Sequence, residues 1–65
     1  MSEKKAKALA KILGGTVWNS GGDTLLVIAR RNDGKVVAIS DEAVAEYRNE
    51  ESLESGHPDK SIDLI

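Results

Sequence analysis

The chain has 65 residues, no cysteine and a formal net charge of −2. This length allows one domain at most, over residues 1–65, and the lack of cysteine excludes disulfide bridges and thiolate metal sites. The apolar runs are far shorter than the roughly 18 residues of a membrane span, and lysines interrupt the amino-terminal segment, unlike a signal peptide. We therefore expect a single small cytoplasmic domain that has no membrane segment, no cofactor and no metal.

Charge is divided unevenly along the chain. Residues 1–40 carry seven Lys or Arg against three acids, whereas residues 41–65 carry eight acids against two basic residues. Such asymmetry is typical of proteins that bind a charged partner, although charged surfaces also keep small domains soluble.

The first predicted element is a helix over residues 3–13. Ser2 can cap its start, and Gly14-Gly15 can end it. Its apolar stripe follows the helical period and consists of Ala6, Leu9, Ala10 and Leu13.

Three strands are expected next. Residues 16–18 are β-branched and aromatic, residues 24–31 form a nearly continuous apolar run, and residues 35–40 form the returning strand. Turn residues fill positions 19–23 and 32–34.

The strongest local signal is the hairpin at Asp33-Gly34, which tolerates the positive φ angles of a tight turn. A two-residue turn there would place Arg31 opposite Val36, and Ile28 would face Ile39.

A second helix is predicted from Ser40 onward. Ser40 is a favourable N-cap, and Asp41 and Glu42 would then lie in the first turn, where carboxylates favour the helix dipole. The inward face would consist of Ala43, Val44 and Tyr47.

The end of that helix has two interpretations. Asn49 either ends it or caps a separate short helix over residues 50–55. Residues 61–65 alternate in polarity and form a possible edge strand. The predicted fold is a two-layer α+β sandwich with an N-terminal helix, a three-stranded antiparallel meander, a C-terminal acidic helix and a possible final edge strand.

Residues that could carry catalysis are scarce, so we expect a protein that is not an enzyme. The single histidine, His57, lies between Gly56 and Pro58 with no visible nucleophile or orienting partner, apart from nearby Asp59. The two Gly-Gly pairs lack a phosphate-binding motif and are explained by a helix end and a turn. Trp18 and Tyr47 are interpreted as core residues in preference to exposed anchors.

The acidic second half gives the main functional hypothesis. Four glutamates stand at every fourth position and would share one face if the helix runs through Asn49 to Ser55. Like charges at this spacing cost stability, which favours a role in binding over a role in folding, although a solvated helix face explains them too. The candidate partner-binding face consists of Asp41, Glu42, Glu46, Glu50, Glu51 and Glu54.

The stretch ILGGTVWNSGGDTLLVIARRNDGKVVAISDEAVAEYRNEE resembles small stand-alone bacterial or phage proteins. The size, the acidic half and the missing catalytic set are similar to those of anti-CRISPR proteins, several of which act as DNA mimics. The resemblance implies an inhibitor whose acidic face blocks the nucleic-acid-binding surface of a protein partner, such as a CRISPR effector.

Two alternatives remain open. The chain could bind DNA or RNA directly through a basic face, or it could be a structural or oligomerising subunit that uses the edge "SIDLI" or the strand "TVW". The basic face would consist of Lys4, Lys7, Lys11, Arg30 and Arg31.

Overall fold

The computed structural model describes residues 1–19, 21 and 24–64, which contain two helices and five strands. In chain order the elements are α1 (Glu3–Leu13), β1 (Thr16–Asn19), β2 (Leu25–Arg30), β3 (Val36–Ile39), β4 (Ala43–Tyr47), α2 (Glu50–Ser55) and β5 (Lys60–Asp63). The strands form one antiparallel sheet in the order β1-β2-β3-β4-β5. The α+β class is therefore confirmed, but the meander has five strands instead of three.

Helix α1 begins and ends where its sequence signals predict. The Ser2 hydroxyl accepts a hydrogen bond from the Lys5 amide at 3.2 Å, and Gly14 ends the helix in the left-handed conformation with φ of 67°. Ala6 and Ala10 are buried and pack against Val27 of β2. The small alanine side chains let the helix lie close to the sheet.

The hairpin between β2 and β3 has a different register from the one predicted. The Arg31 amide donates to the Lys35 carbonyl at 2.8 Å, so the loop contains three residues, not two. Its third residue, Gly34, has φ of 88°, as in hairpins that combine a type I turn with a bulge. Val36 consequently pairs with Arg30 instead of Arg31. A shift of one residue exchanges the two faces of β3.

The predicted helix from Ser40 onward is wrong, because residues 43–47 form strand β4. The Ser40 hydroxyl accepts from the amides of Glu42 and Ala43, as an N-cap would. However, the Ser40 amide donates to the Ala43 carbonyl at 3.0 Å, which closes a tight turn from β3 into β4. A serine hydroxyl makes the same local hydrogen bonds at a helix start and in this turn, so these bonds do not decide between helix and strand. Residues 43–47 form a strand because they pair with the neighbouring strands on both sides.

Helix α2 confirms the interpretation of a separate short helix over residues 50–55, and strand β5 confirms the final edge strand. Asn49 caps a separate helix by accepting from the Ser52 amide at 2.8 Å, and Gly56 ends it with φ of 74°. β5 lies at the edge of the sheet, as expected of residues 61–65. Ile65, and Ser20, Gly22 and Asp23 of the turn predicted over 19–23, lie outside the described residues.

The two helices contact different faces of the sheet. α1 covers the face of β1 and β2 that carries Val17 and Val27. The next residue of β2, Ile28, points to the opposite face and is buried there, as is Val36. α2 reaches that opposite face through Glu50, which binds Arg30. Each helix covers part of one face, so the core is thin.

Candidate functional site

A transverse row of apolar side chains crosses the whole sheet on the face that carries α1. The register of the five strands places its members directly opposite one another, one on each strand. Directly opposed residues of an antiparallel sheet share a face. The row, which we call the apolar row, consists of Val17, Val27, Ile39, Val44 and Ile62.

α1 covers only one end of the apolar row. Val27 is fully buried beneath the helix and Val17 is half-buried. Ile39 and Val44 are only half-buried, and the side chain at the far end, Ile62, is 64% exposed. The sheet therefore presents an apolar surface on β3, β4 and β5 beside the helix.

One flank of α1 borders this surface. The Lys5 ammonium lies 3.2 Å from the Asp41 carboxylate in the turn between β3 and β4, so this flank faces the uncovered strands. Leu9 and Ile12 follow Lys5 at helical spacing on that flank. Ile12 is 79% exposed, which is unusual for isoleucine.

We call the combined surface the open apolar face. Leu64 belongs to it, because its amide bonds to the Glu42 carbonyl in continuation of the β4–β5 ladder, and it is 54% exposed. Sequence reasoning missed this site. Two features of the sequence could have indicated it. Ile12 lies off the apolar stripe of α1, and the last residues alternate between polar and apolar. The open apolar face consists of Leu9, Ile12, Ile39, Val44, Ile62 and Leu64.

The six acids of the predicted partner-binding face do not lie on one helix. Asp41 and Glu42 occupy the turn between β3 and β4, Glu46 lies on β4, and Glu50, Glu51 and Glu54 belong to α2. The row of four glutamates on a single helical face is therefore wrong, because a strand interrupts it.

Three of those acids form ion pairs within the chain. The Asp41 carboxylate lies 2.8 Å from the terminal amine and 3.2 Å from Lys5. The hydrogen bond from the terminal amine, followed by that from Lys5, lowers the pKa of Asp41. Glu46 lies 3.2 Å from Arg31 and 3.5 Å from Lys35.

Glu50 completes the set by binding the Arg30 guanidinium through both carboxylate oxygens. Hydrogen bonding to Glu50 raises the pKa of Arg30. In the part of the chain that the structure describes, Glu42, Glu51 and Glu54 have no such cationic partner. The acidic face keeps only these three side chains as free charges, and only Glu51 and Glu54 share an element.

The predicted basic face is also divided. Lys4, Lys7 and Lys11 lie on α1, and Lys7 pairs with Glu3 at 2.9 Å. Arg30 and Arg31 lie at the end of β2, where acids of β4 and α2 neutralise them. The two groups do not form one continuous cationic surface of free side chains.

A cavity of about 440 Å³ lies at the β2–β3 hairpin and is lined by Arg30, Arg31, Asn32 and Asp33. Both arginines are engaged by carboxylates, including Asp33 at 3.8 Å from Arg31. A second, apolar cavity of about 100 Å³ lies between β2, β3 and β4. Among the described residues, no group of three or more His, Asp or Glu side chains could hold a metal ion.

The aromatic side chains differ from the prediction in one respect. Trp18 was expected in the core, but it lies on edge strand β1 and is 41% exposed. Tyr47 is half-buried on β4, opposite Val36. His57 is exposed after α2, as expected.

Neither helix of the described chain is both long and apolar enough to cross a membrane. The chain matches no protein-family model, and comparisons with curated proteins and with solved structures found no significant match either.

Proposed function

We propose that the chain is a cytoplasmic, non-enzymatic binding protein that acts through a protein partner seated on the open apolar face. The observation that carries this proposal is the exposure of Ile12, Ile62 and Leu64 beside the half-buried Ile39 and Val44. Contiguous exposed apolar surfaces on soluble domains mark sites of interaction with other proteins.

The charges around this face favour a protein over a nucleic acid. Nucleic-acid affinity comes mainly from free Lys and Arg that neutralise phosphates. Near the open apolar face, Lys5 is bound to Asp41, and Lys35 and Arg31 are bound to Glu46. Lys60 on β5 lies directly opposite Glu46 in the sheet. The surface offers apolar contact area, which a partner helix or strand with an apolar face would cover.

The test compares two single lysine variants. Ile12→Lys introduces a charge into the open apolar face at a position that is 79% exposed, so the fold is expected to survive. Thr16→Lys adds the same charge at an exposed position of β1, opposite Ile28 and therefore on the other face of the sheet. Binding to a partner captured by the wild-type chain should be lost in Ile12→Lys and retained in Thr16→Lys. Equal binding by both variants would refute the use of this face.

The acidic inhibitor is the second candidate, and the free carboxylates of Glu51 and Glu54 on α2 favour it. In this version the acids of α2, with Glu42, occupy a basic surface such as the nucleic-acid groove of a CRISPR effector. The double variant Glu51→Lys/Glu54→Lys would then abolish binding, and added DNA would compete with the wild-type chain. Loss of binding in this double variant, with normal binding by Ile12→Lys, would mean that the acids bind the partner and the apolar face does not.

A further inference from the structure

In the described part of the chain, one side of the β5 backbone has no neighbouring strand. β5 is the last strand of the sheet, and all four of its residues are exposed. An edge strand presents a row of unpaired backbone donors and acceptors that can pair with another strand.

A hydrogen bond beside the β4–β5 ladder shows which backbone groups of β5 point outward. The Leu64 amide donates to the Glu42 carbonyl at 2.7 Å, so these two residues form a hydrogen-bonded pair of the β4–β5 ladder. Such pairs recur at every second residue of an antiparallel ladder. The backbone groups of Ile62 therefore point toward β4, and those of Ser61 and Asp63 point away from the sheet.

We propose that the β5 edge pairs with the β5 edge of a second copy of this chain, in antiparallel orientation around a two-fold axis. The pairing places Ile62 opposite Ile62 of the second copy and Ser61 opposite Asp63 of the second copy. In this register all the outward backbone groups of Ser61 and Asp63 take part, which gives four hydrogen bonds across the axis. The result is a single ten-stranded sheet.

This register is self-complementary in its side chains. With Ile62 on the axis, the apolar row of one copy continues into that of the other, and the most exposed member of the row gains an apolar neighbour. A shift by two residues in one direction would place Lys60 opposite Ile62 and would interrupt the row. A shift in the other direction would place the two Asp63 carboxylates directly opposite each other, where like charges oppose pairing. On the other face, the Ser61 hydroxyl can donate to the Asp63 carboxylate across the axis.

The accessible surface of the chain is consistent with a missing neighbour. The surface area is 4614 Å², whereas a monomer of 7.0 kDa exposes about 4,000 Å² by the usual scaling of area with mass. The excess of about 600 Å² is close to the roughly 800 Å² that one subunit contributes to a standard interface.

The other edge of the sheet is less suited to this pairing. At β1 the apolar row ends in Val17, which α1 already covers. At β5 the row ends in Ile62, which is 64% exposed. Pairing at β5 thus extends the apolar row into the second copy, while pairing at β1 would cover Trp18 on the other face of the sheet and would not extend the row.

Cross-linking tests the register directly, because the chain contains no cysteine. Ile62→Cys would place two thiols on the axis in a non-hydrogen-bonded pair with Cα atoms about 4.5 Å apart, within the range of a disulfide. In the matched variant Ser61→Cys, the two cysteines would be diagonal neighbours about 7–8 Å apart, too far to bridge without backbone movement. Mild oxidation should convert Ile62→Cys to a covalent dimer much faster than Ser61→Cys. Equal rates would overturn the proposed register.

A proline at the edge tests the backbone pairing without a thiol. Ser61→Pro removes an amide that points away from β4, so the fold should persist, as circular dichroism would verify. Sedimentation velocity from about 10 µM to about 1 mM covers the range of weak dimers. The wild-type chain and Ser61→Ala should dimerise with rising concentration, and Ser61→Pro should stay monomeric. A wild-type chain that is monomeric throughout, or an undiminished dimer in Ser61→Pro, would overturn the proposal.

The same geometry predicts a variant that strengthens the dimer. The two Asp63 side chains would be diagonal neighbours across the axis, and like charges there oppose pairing. Asp63→Asn removes the repulsion and retains an acceptor for Ser61, so the dimer should form at lower concentration. The proposal does not depend on the proposed function, because Ile12→Lys should lose partner binding and still dimerise.

Discussion

Arg30 and Glu50 join the end of β2 to the first residue of α2 through two hydrogen bonds, from Nε to Oε1 and from Nη2 to Oε2. The planar guanidinium matches a carboxylate in this arrangement. α2 has only six residues, and helices this short are unstable in isolation. The helix is therefore expected to depend on this pair, on its caps and on the half-buried Leu53.

We expect Glu50→Gln to loosen α2 while the sheet remains intact. The variant loses the ionic component of the pair with Arg30, so amide hydrogen exchange in α2 should accelerate several-fold. The central amides of β2 and β3 should keep their protection. Glu51→Gln is the matched control, because Glu51 has no cationic partner in the described chain and should have no such effect. Equal acceleration in both variants would contradict a tether at Arg30.

Asp41 gives the fold a dependence on acidic pH. Its pKa is lowered in the folded chain from a reference value of 3.8, first by the terminal amine and then by Lys5. Because the folded-state pKa lies below the unfolded one, the unfolded chain binds the proton more readily. The stabilisation is therefore present above the unfolded pKa and is lost as pH falls through the folded pKa.

The urea midpoint of the wild-type chain should accordingly fall between pH 5 and pH 2, and Asp41→Asn should reduce that fall. Asp41→Asn should also have a lower midpoint than the wild type at neutral pH, because the amide carries no charge for Lys5 and the terminal amine. Glu54→Gln serves as the control, since Glu54 has no ionic partner among the described side chains. An unchanged acid profile in Asp41→Asn would exclude these ion pairs as a source of stability.

Gly15 is required for close approach to β2. A Cβ atom at this position would overlap the backbone carbonyl of Ile28, which cannot rotate away as a side chain can. Gly34 differs, because it has φ of 88° and open space around it. Gly15→Ala should therefore lower the free energy of unfolding by about 3 kcal/mol, the upper end of the usual range for overpacked sites. Gly34→Ala should lower it by about 1–2 kcal/mol, from the unfavourable backbone conformation alone. Chemical unfolding would measure both values, and a smaller cost at Gly15 would contradict the contact.

Local sequence signals predicted the elements that local bonds stabilise. α1 follows from its cap at Ser2, its apolar stripe and Gly14, all within one segment. β4 does not, because the Ser40 hydroxyl makes the same bonds in a turn as at a helix start. The open apolar face was unpredictable for a related reason, since the apolar row exists only in the register of five strands. That register depended on a loop whose length the pair Asp33-Gly34 leaves open.

Strand β4 can be tested by a disulfide at the centre of the sheet. Ala38 and Ala45 are directly opposed on β3 and β4. The double variant Ala38→Cys/Ala45→Cys should form an intramolecular disulfide on mild oxidation, because opposed residues of antiparallel strands lie within bridging distance. Ala38→Cys/Val44→Cys is the matched control, since Val44 points to the other face of the sheet. A bridge that forms no faster in the first variant would mean that residues 43–47 do not pair in this register.

Glu46 is paired with cations of the fold, unlike the free acids Glu51 and Glu54. It accepts a hydrogen bond from Arg31 and lies beside Lys35, and its register partner on β5 is Lys60. Glu46→Lys would add a fourth cation to this group, so we expect a clear loss of stability that added salt partly restores.

Glu46→Gln should be milder, because it removes the attraction without adding repulsion. Glu54→Lys makes the same charge change on α2 and should leave the urea midpoint nearly unaltered, since Glu54 has no cationic partner among the described residues. If Glu46→Lys and Glu54→Lys unfold alike, Glu46 does not hold the hairpin against β4. If they differ as expected, any loss of partner binding in Glu46→Lys must be attributed to the fold. Of the six predicted acids, Glu42, Glu51 and Glu54 are then the ones that can report on binding through charge.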